Sequence, residues 1–206
     1  MTAQRIGVLG GTFDPIHFGH LTAAAAVADR LLLDTVILVP AGEPWHRRWA
    51  PIAGREQRFE MTSRGASVDR RFVSSRVDID RQGPTFTIDT LTDLRQERKE
   101  SGGPATDGDA WFFITGADAL ADFMSWRRPL ELLALAHLVG VTRPGHPLRA
   151  PALPDGLCTL IEVPCIDVSS TEVRHRIRDG APVTDLIPAP VANYIAERDL
   201  YCRRSP

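Results

Sequence analysis

A short apolar run that ends at a pair of glycines constrains the fold of this chain more than any other feature. Residues 5–10, Arg-Ile-Gly-Val-Leu-Gly, predict a buried strand, because they are mostly apolar and stop at glycine. Residues 21–33 are rich in alanine and leucine at helical spacing and predict a packed helix. Residues 35–39, Thr-Val-Ile-Leu-Val, then predict a second buried strand, which Pro40 ends. Strand, helix and strand in this order are typical of a parallel α/β sheet.

The same alternation continues along the chain. Further strands are predicted at 72–77, 111–115, 137–141 and 159–163, and further helices at 54–66, 87–99, 118–124, 170–179 and 189–197. Loops are predicted at 41–53, 101–109 and 144–155. We therefore expect an α/β fold, a Rossmann-like doubly wound parallel sheet with C-terminal helices, in a single domain over residues 1–206. In such sheets ligands bind just beyond the carboxyl ends of the strands.

The composition limits which partners the chain can have. A net charge of −2 gives no basic surface typical of nucleic-acid binding, and no apolar stretch approaches the roughly 20 residues of a membrane span. We expect small-molecule substrates, without nucleic acid or membrane as partner; a homo-oligomer stays open. The cysteines, Cys158, Cys165 and Cys202, lack metal-ligand spacing and favour a reducing, cytoplasmic setting. Lys99 is the only lysine, so arginine, histidine and backbone amides must recognise any phosphate.

The loop after the first strand carries the first chemical motif. Residues 10–20 read Gly-Gly-Thr-Phe-Asp-Pro-Ile-His-Phe-Gly-His and lead directly into a helix. Glycines allow close approach of a ligand, and amides at a helix N-terminus attract phosphate. His17 and His20 lie three residues apart and share a face of the first turn, and Gly19 removes a side chain that would crowd a phosphate. A metal-binding pair or two helix-capping histidines are the alternative interpretations.

This loop resembles the signature Gly-Gly-Thr-Phe-Asp-Pro-x-His-x-Gly-His of the nucleotidylyltransferase superfamily. The resemblance implies that a phosphate monoester attacks the α-phosphorus of ATP and expels pyrophosphate, with His17 and His20 as catalytic residues. ATP-binding roles are implied for Gly10, Gly11, Thr12, Phe13 and Gly19. Because the attacking phosphate is already anionic, alignment and neutralisation of charge matter more than a strong base.

A second motif lies near the C-terminus. In Val-Ser-Ser-Thr-Glu-Val-Arg, residues 168–174, Ser169 and Glu172 have the spacing of a capping box. The next turn would then offer amides and hydroxyls to the β- and γ-phosphates. A capped, basic surface helix is the alternative. The segment resembles the superfamily's second signature, Ile-Ser-Ser-Thr-x-Ile-Arg. That resemblance implies ATP binding by Ser169, Ser170 and Thr171 and a catalytic role for Arg174.

Three further segments resemble the nicotinate-nucleotide adenylyltransferase family. The first is Pro-Ala-Gly-Glu-Pro-Trp-His-Arg, residues 40–47, in which His46 matches, Arg47 stands for a lysine and Trp45 departs from the family. The resemblance implies that these three residues bind the mononucleotide. Residues 42–53 hold aromatic and basic anchors but too few apolar residues to fold alone, so we predict a lid that becomes ordered when substrate binds.

The other two segments are 84–91, which resembles Ser-Tyr-Thr-x-Asp-Thr-Leu of the family, and 113–127. The resemblance implies that Thr87 lies near the pyridine carboxylate; the same threonine would cap the following helix. It implies that Gly116 and Asp118 bind ATP, with Asp118 on the ribose hydroxyls. It also implies that nicotinate mononucleotide is bound by Trp126 through ring stacking, by the amide of Arg127, and by Arg143 near the phosphates.

Together these segments imply an enzyme that transfers AMP from ATP to nicotinate mononucleotide, giving nicotinate adenine dinucleotide and pyrophosphate in NAD biosynthesis. The alternative within the enzyme class is an adenylyltransferase for nicotinamide mononucleotide or another phosphomonoester, such as phosphopantetheine. The alternative outside it is a nucleotide-binding sensor, although both motif histidines are present. Mg²⁺ is expected with ATP, and since the sequence offers no carboxylate cage, water and phosphates would supply most of its ligands.

Overall fold

Strands and helices alternate along the chain in the computed structural model, which describes residues 3–44, 52–101, 108–142, 153–154, 156–164 and 166–202. The strands are β1 (Arg5–Gly11), β2 (Thr35–Pro40), β3 (Glu43–Pro44), β4 (Phe72–Ser74), β5 (Pro84–Thr85), β6 (Ala110–Gly116), β7 (His137–Thr142) and β8 (Cys158–Glu162). The helices are α1 (Phe18–Arg30), α2 (Arg55–Ala66), α3 (Val77–Asp80), α4 (Thr87–Glu100), α5 (Ala117–Ala121), α6 (Pro129–Leu135), α7 (Ser170–Arg178) and α8 (Ala189–Glu197), with a 3-10 turn at Phe123–Ser125.

Within the described residues, six strands form one parallel sheet in the order β4-β2-β1-β6-β7-β8. The chain runs outward from β1 to β4, then returns to place β6 on the other side of β1. The strand order therefore reverses between β1 and β6, where Leu9 pairs with Ile114. Such a reversal opens a crevice at the carboxyl ends of the two strands. The predicted doubly wound parallel sheet is confirmed.

Both faces of the sheet are buried, because successive side chains of a strand point to opposite faces. Leu9 belongs to a hydrophobic cluster with residues of α1, α2, α7 and α8. Val8 belongs to a second cluster, which includes Leu91 of α4 and Leu132 of α6. Burial of one such aliphatic side chain contributes about 1.5–3 kcal/mol. The apolar runs that predicted the strands are continuous for this reason.

Three elements differ from the predicted ones by more than one residue. The helix predicted at 21–33 begins at Phe18 and ends at Arg30. The strand predicted at 72–77 ends at Ser74, because the amide of Val77 bonds to the Ser75 hydroxyl, which turns the chain into α3. The helix predicted at 118–124 is divided into α5 and a 3-10 turn at Asp122.

Four short elements were not predicted: the helices α3 and α6 and the two-residue strands β3 and β5. Helix α6 spans seven residues and begins with Pro129 at its first position, where a missing amide proton costs nothing. Two turns are too short for a helical period to stand out from the leucine-rich sequence. The helix still positions the site, because Leu132 is fully buried against the cluster that supports α4.

Candidate active site

Two cavities meet at the carboxyl edge of the sheet. The aromatic cavity, about 650 Å³, has Phe86, Phe113 and Trp126 in its lining. The histidine cavity, about 620 Å³, has His17, His20 and the start of α7 in its lining. Gly10 of β1 and Thr115 of β6 line both cavities, so ligands in the two cavities would touch at the ends of these neighbouring strands.

The two histidines of the first motif form a stacked pair in the histidine cavity. Their ring centroids are 3.7 Å apart and their planes are inclined by 26°. His17 occupies the N-cap of α1, and its amide donates to Nδ1 of His20 at 3.3 Å. An acceptor at Nδ1 leaves the proton of the neutral His20 ring on Nε2, which makes Nε2 a hydrogen-bond donor. The predicted shared face is therefore present, with His17 as helix cap as well.

Gly19 has a packing role in addition to the predicted one of leaving room for a phosphate. A Cβ at this position would lie 3.1 Å from Cε1 and Nδ1 of His17 and 3.1 Å from Cγ1 of Val168. The glycine therefore makes room for the His17 ring and for the segment before α7 rather than for a phosphate alone. Gly11 likewise admits the Phe13 ring, since a Cβ there would lie 2.5 Å from Cε1 of Phe13.

The start of α7 forms the opposite wall of the histidine cavity. Ser169 is the N-cap, and its Oγ accepts the amide of Glu172 at 3.1 Å. The reciprocal half of the predicted capping box is replaced by an ion pair, because the Glu172 carboxylate contacts Arg176 at 2.9 Å. Ser170 Oγ donates to the carbonyl of Pro15 at 2.9 Å, which ties the second motif to the first.

Arg174 reaches from α7 to the same loop. Its Nη1 donates to the carbonyl of Asp14 at 2.7 Å and lies 3.9 Å from Oδ2 of that aspartate. Its Nη2 donates to Thr171 Oγ1 at 3.2 Å. The guanidinium is thus held in one orientation while it lines the histidine cavity.

The end of β6 completes this cavity. Gly116 and Asp118 line it, and both are exposed. A Cβ at Gly116 would meet nothing within 4 Å, so the protein's own packing does not require this glycine. The open space at this position leaves room for a ligand to approach the backbone closely.

The aromatic cavity gathers the other predicted residues. Trp126 packs edge-on to Phe113, with ring centroids 5.9 Å apart, and stays half-buried. The Arg127 guanidinium lies 4.5 Å from the centroid of the Phe86 ring. Thr87 is the first residue of α4, so Phe86, and not Thr87 as predicted, occupies the N-cap position. The positive end of α4 therefore opens into the aromatic cavity.

Known proteins are similar to this chain in sequence. The Cytidylyltransferase-like family model matches residues 8–176. A protein of Acidothermus cellulolyticus named "Probable nicotinate-nucleotide adenylyltransferase" is 54% identical over 97% of this chain and 95% of its own length. A protein of the same name from Saccharopolyspora erythraea is 48% identical over 96% of this chain and 90% of its own length. This chain belongs to the nicotinate-nucleotide adenylyltransferase family.

A solved structure agrees with the fold of this family member. The nicotinic acid mononucleotide adenylyltransferase of Plasmodium falciparum, complexed with APC, aligns with a TM-score of 0.68. The alignment covers 96% of this chain and 97% of the other at 16% identity, which speaks for the fold alone. The family membership and enzyme class predicted from sequence are confirmed by the closer relatives.

Some residues implied by the family resemblance lie elsewhere than the histidine cavity. Gly11 and Thr12 line the aromatic cavity. The Phe13 ring is 2% exposed and packs in the core, so only its backbone can serve a ligand. Four predicted site residues lie outside the described residues: Trp45, His46, Arg47 and Arg143. Residues 45–51 of the predicted lid also lie outside them.

Sequence reasoning missed Arg58, which organises the loops of this adenylyltransferase fold. Its guanidinium is 1% exposed and donates to the carbonyls of Thr12, Ala41, Gly42 and Ala53. One side chain thus joins the loop after β1, the loop after β2 and the start of α2. An arginine on a predicted helix normally indicates a solvent-facing position, so the sequence carried no signal.

A second missed group lies beneath the aromatic cavity. The Asp78 carboxylate accepts from Thr90 Oγ1 at 2.8 Å and from Arg81 Nη1 at 2.6 Å. Burial raises the pKa of Asp78, and these two donors oppose the rise. Gly42 must approach this helix closely, because a Cβ there would lie 2.0 Å from the Asp78 carbonyl oxygen. The contact brings the loop after β2 against α3.

In the part of the chain that the structure describes, histidine, cysteine, aspartate and glutamate side chains do not gather in groups of three or more that could hold a metal ion. No helix there is long and apolar enough to cross a membrane.

Proposed function

We propose that this chain transfers AMP from ATP to nicotinate mononucleotide, giving nicotinate adenine dinucleotide and pyrophosphate. The observation that carries the proposal is the meeting of the two cavities at Gly10 and Thr115. A reaction that joins two nucleotides needs two adjoining sites. The reacting phosphates of the two bound nucleotides then meet beside backbone amides that bind phosphate. The relatives' names supply the substrate class.

The histidine cavity suits ATP. His17, His20 and Arg174 line it, and the α-phosphorus and the leaving pyrophosphate would lie beside them. The amides at the start of α7, around Ser169, Ser170 and Thr171, would bind the β- and γ-phosphates at the positive end of a helix. The exposed carboxylate of Asp118 would accept the ribose hydroxyls, and the open space at Gly116 would admit the nucleoside.

The aromatic cavity suits nicotinate mononucleotide. The pyridine ring would stack on Trp126, whose half-buried ring already packs against Phe113. Its carboxylate would meet the first amides of α4 at Thr87 and the amide of Arg127. Backbone donors and a positive helix end favour a carboxylate over the neutral amide of nicotinamide. The phosphate would then point toward Gly11 and Thr12, which follow Gly10 of the shared wall.

The reaction needs little proton transfer. A phosphate oxygen of the mononucleotide forms a bond to the α-phosphorus as the bond to the pyrophosphate oxygen breaks. Negative charge moves onto the leaving pyrophosphate, so cationic and N–H donors placed around it stabilise the transition state. His20 Nε2 and the Arg174 guanidinium are the groups that would do this. Mg²⁺ would arrive with ATP, held mainly by phosphates and water, and would neutralise phosphate charge.

The chain would work as a single domain. Its three sparse cysteines support a reducing cytoplasm as the setting. Its net charge of −2 supports small molecules, and not nucleic acid, as its partners.

The test is pyrophosphate release by pure protein with ATP and Mg²⁺. Nicotinate mononucleotide, nicotinamide mononucleotide and phosphopantetheine are compared as acceptors, with His20→Ala protein as control. We expect release with nicotinate mononucleotide, with the largest kcat/KM of the three, and almost none from the control. Preference for another acceptor would overturn the substrate assignment, and no release with any acceptor would overturn the activity.

A further inference from the structure

The carboxylate of Asp14 is a buried connection between distant parts of the chain. It is 2% exposed, and its oxygens accept the amides of Ile52 at 2.9 Å and Ala53 at 3.1 Å. The Tyr201 hydroxyl, 187 positions away, donates to Oδ1 at 2.7 Å. A buried carboxylate depends on such donors, because it has given up its hydration.

Asp14 also holds Arg174 through its backbone. Its carbonyl accepts Nη1 of that arginine at 2.7 Å, and its Oδ2 lies 3.9 Å from the same nitrogen. The Asp14 peptide therefore sets the position of the guanidinium together with Thr171 Oγ1, which accepts Nη2 at 3.2 Å. Three donors fix the aspartate, and the aspartate in turn fixes the arginine.

The hydroxyl of Tyr201 remains a hydrogen-bond donor. Burial, and then the charge of the neighbouring Asp14, raise the pKa of Tyr201, so the phenol keeps its proton at working pH. The tyrosine backbone lies in the left-handed region, with φ of 64°, which residues other than glycine seldom adopt. Its half-buried side chain packs against the hydrophobic cluster that contains Leu9, and its hydroxyl is held by Asp14.

We propose that Tyr201 is a positioning residue for adenylyl transfer, acting through Asp14 on Arg174. The inference rests on the proposed function, in which Arg174 stabilises the leaving pyrophosphate. Loss of the phenol donor leaves Oδ1 of Asp14 with one donor fewer and loosens the peptide that orients the guanidinium. The effect falls on the chemical step, because Tyr201 lines neither cavity.

The chain offers a matched control in its other tyrosine. Tyr194 of α8 is buried and packs beneath Arg64, whose Cζ lies 4.8 Å from the ring centroid. The hydrogen bonds found among the described residues do not include its hydroxyl. Tyr194→Phe therefore removes the same atom from the same kind of residue without touching Asp14.

The experiment is a double-mutant cycle. Tyr201→Phe and Tyr194→Phe are each made in the wild-type protein and in Arg174→Ala protein, and kcat and both KM values are measured from pyrophosphate release. Tyr201→Phe should lower kcat about tenfold, as expected for one lost hydrogen bond to a charged group. The KM for nicotinate mononucleotide should stay within about twofold, and Tyr194→Phe should match wild type. In Arg174→Ala protein, Tyr201→Phe should have no further effect on kcat.

Two results would overturn the inference alone: a wild-type kcat for Tyr201→Phe, or an equal fall in both backgrounds. No release by wild-type protein would overturn the proposed function, and the inference with it. If Tyr201→Phe does not fold, Asp14→Asn tests the same connection with a side chain of the same size. It should lower kcat, keep the KM for nicotinate mononucleotide, and add nothing in Arg174→Ala protein; a wild-type kcat overturns the inference.

Discussion

The imidazole of His17 stacks on that of His20, with centroids 3.7 Å apart, while the His17 amide donates to Nδ1 of His20. Each ring therefore fixes the orientation of the other. The two histidines should act as one unit rather than as independent donors.

We expect His17→Ala and His20→Ala each to lower kcat by about 10²–10³-fold, as loss of a transition-state donor does. Because each ring positions the other, the double variant should lose much less than the product of the two factors. Pyrophosphate release under single-turnover conditions measures all three. Factors that simply multiply would contradict the idea of a unit.

Two glycine substitutions should separate packing from ligand approach. Gly19→Ala places a methyl group 3.1 Å from the His17 ring and should lower both kcat and the melting temperature. Gly116→Ala meets only open space in the protein, so its melting temperature should match wild type, while the KM for ATP rises about tenfold from a clash with the nucleotide. Thermal melts and steady-state kinetics test both. An unchanged KM for ATP in Gly116→Ala protein would place the nucleoside elsewhere.

Trp126→Ala should weaken one substrate only. Loss of ring stacking should raise the KM for nicotinate mononucleotide about tenfold, and the KM for ATP should stay within about twofold. The reason is that Trp126 lines the aromatic cavity and not the histidine cavity. Trp126→Phe keeps an aromatic face and should restore most of the affinity. Equal increases in both KM values would point to a general disturbance of the fold.

Arg58→Ala should be among the most destabilising changes in the chain. It removes the donor to four loop carbonyls from a site that is 1% exposed. A loss of about 3–5 kcal/mol in the free energy of unfolding is expected. Arg30→Ala, at the exposed end of α1, is the control and should change stability by less than about 0.5 kcal/mol. Urea unfolding measures both, and similar midpoints would be inconsistent with a structural role for Arg58.

His137 should make stability depend on pH. Burial lowers its pKa from the ordinary value of 6.5, so the folded protein binds this proton less tightly than the unfolded chain does. Its contribution is therefore complete above pH 6.5 and is lost as the pH falls below that value. His137→Gln cannot titrate but can still bond to Thr159, which lies 2.8 Å from Nε2. The stability of wild type relative to this variant should decline from pH 7 to pH 5 in urea titrations, and a constant difference would argue against the shift.

The strands of the sheet could be predicted from apolar runs that end at proline or glycine, such as residues 35–39. Strands of a parallel α/β sheet are continuously apolar because both faces of the sheet are buried. The short elements were not predictable in the same way. Helix α3 depends on the bond from the Val77 amide to the Ser75 hydroxyl, and α6 is too brief for a period.

The site, too, could be predicted only where its residues are close together in sequence. Residues close together in sequence, such as His17 and His20, were brought together as predicted, because one helical turn decides their spacing. Arg58 could not be foreseen, since its partners are backbone carbonyls that leave no trace in residue identity. Tyr201 and Asp14 are joined only by tertiary folding.

The shared wall at Gly10 and Thr115 has a consequence for turnover. Under the proposed function each substrate would fill one cavity, whereas the dinucleotide product would be anchored in both cavities at once. Such a bivalent ligand leaves the enzyme only when both of its halves have dissociated from their cavities, so its residence time should exceed that of either reactant. The dinucleotide product should therefore inhibit the enzyme that makes it. Synthetic molecules that occupy both cavities should bind more tightly than molecules that occupy one, for the same reason.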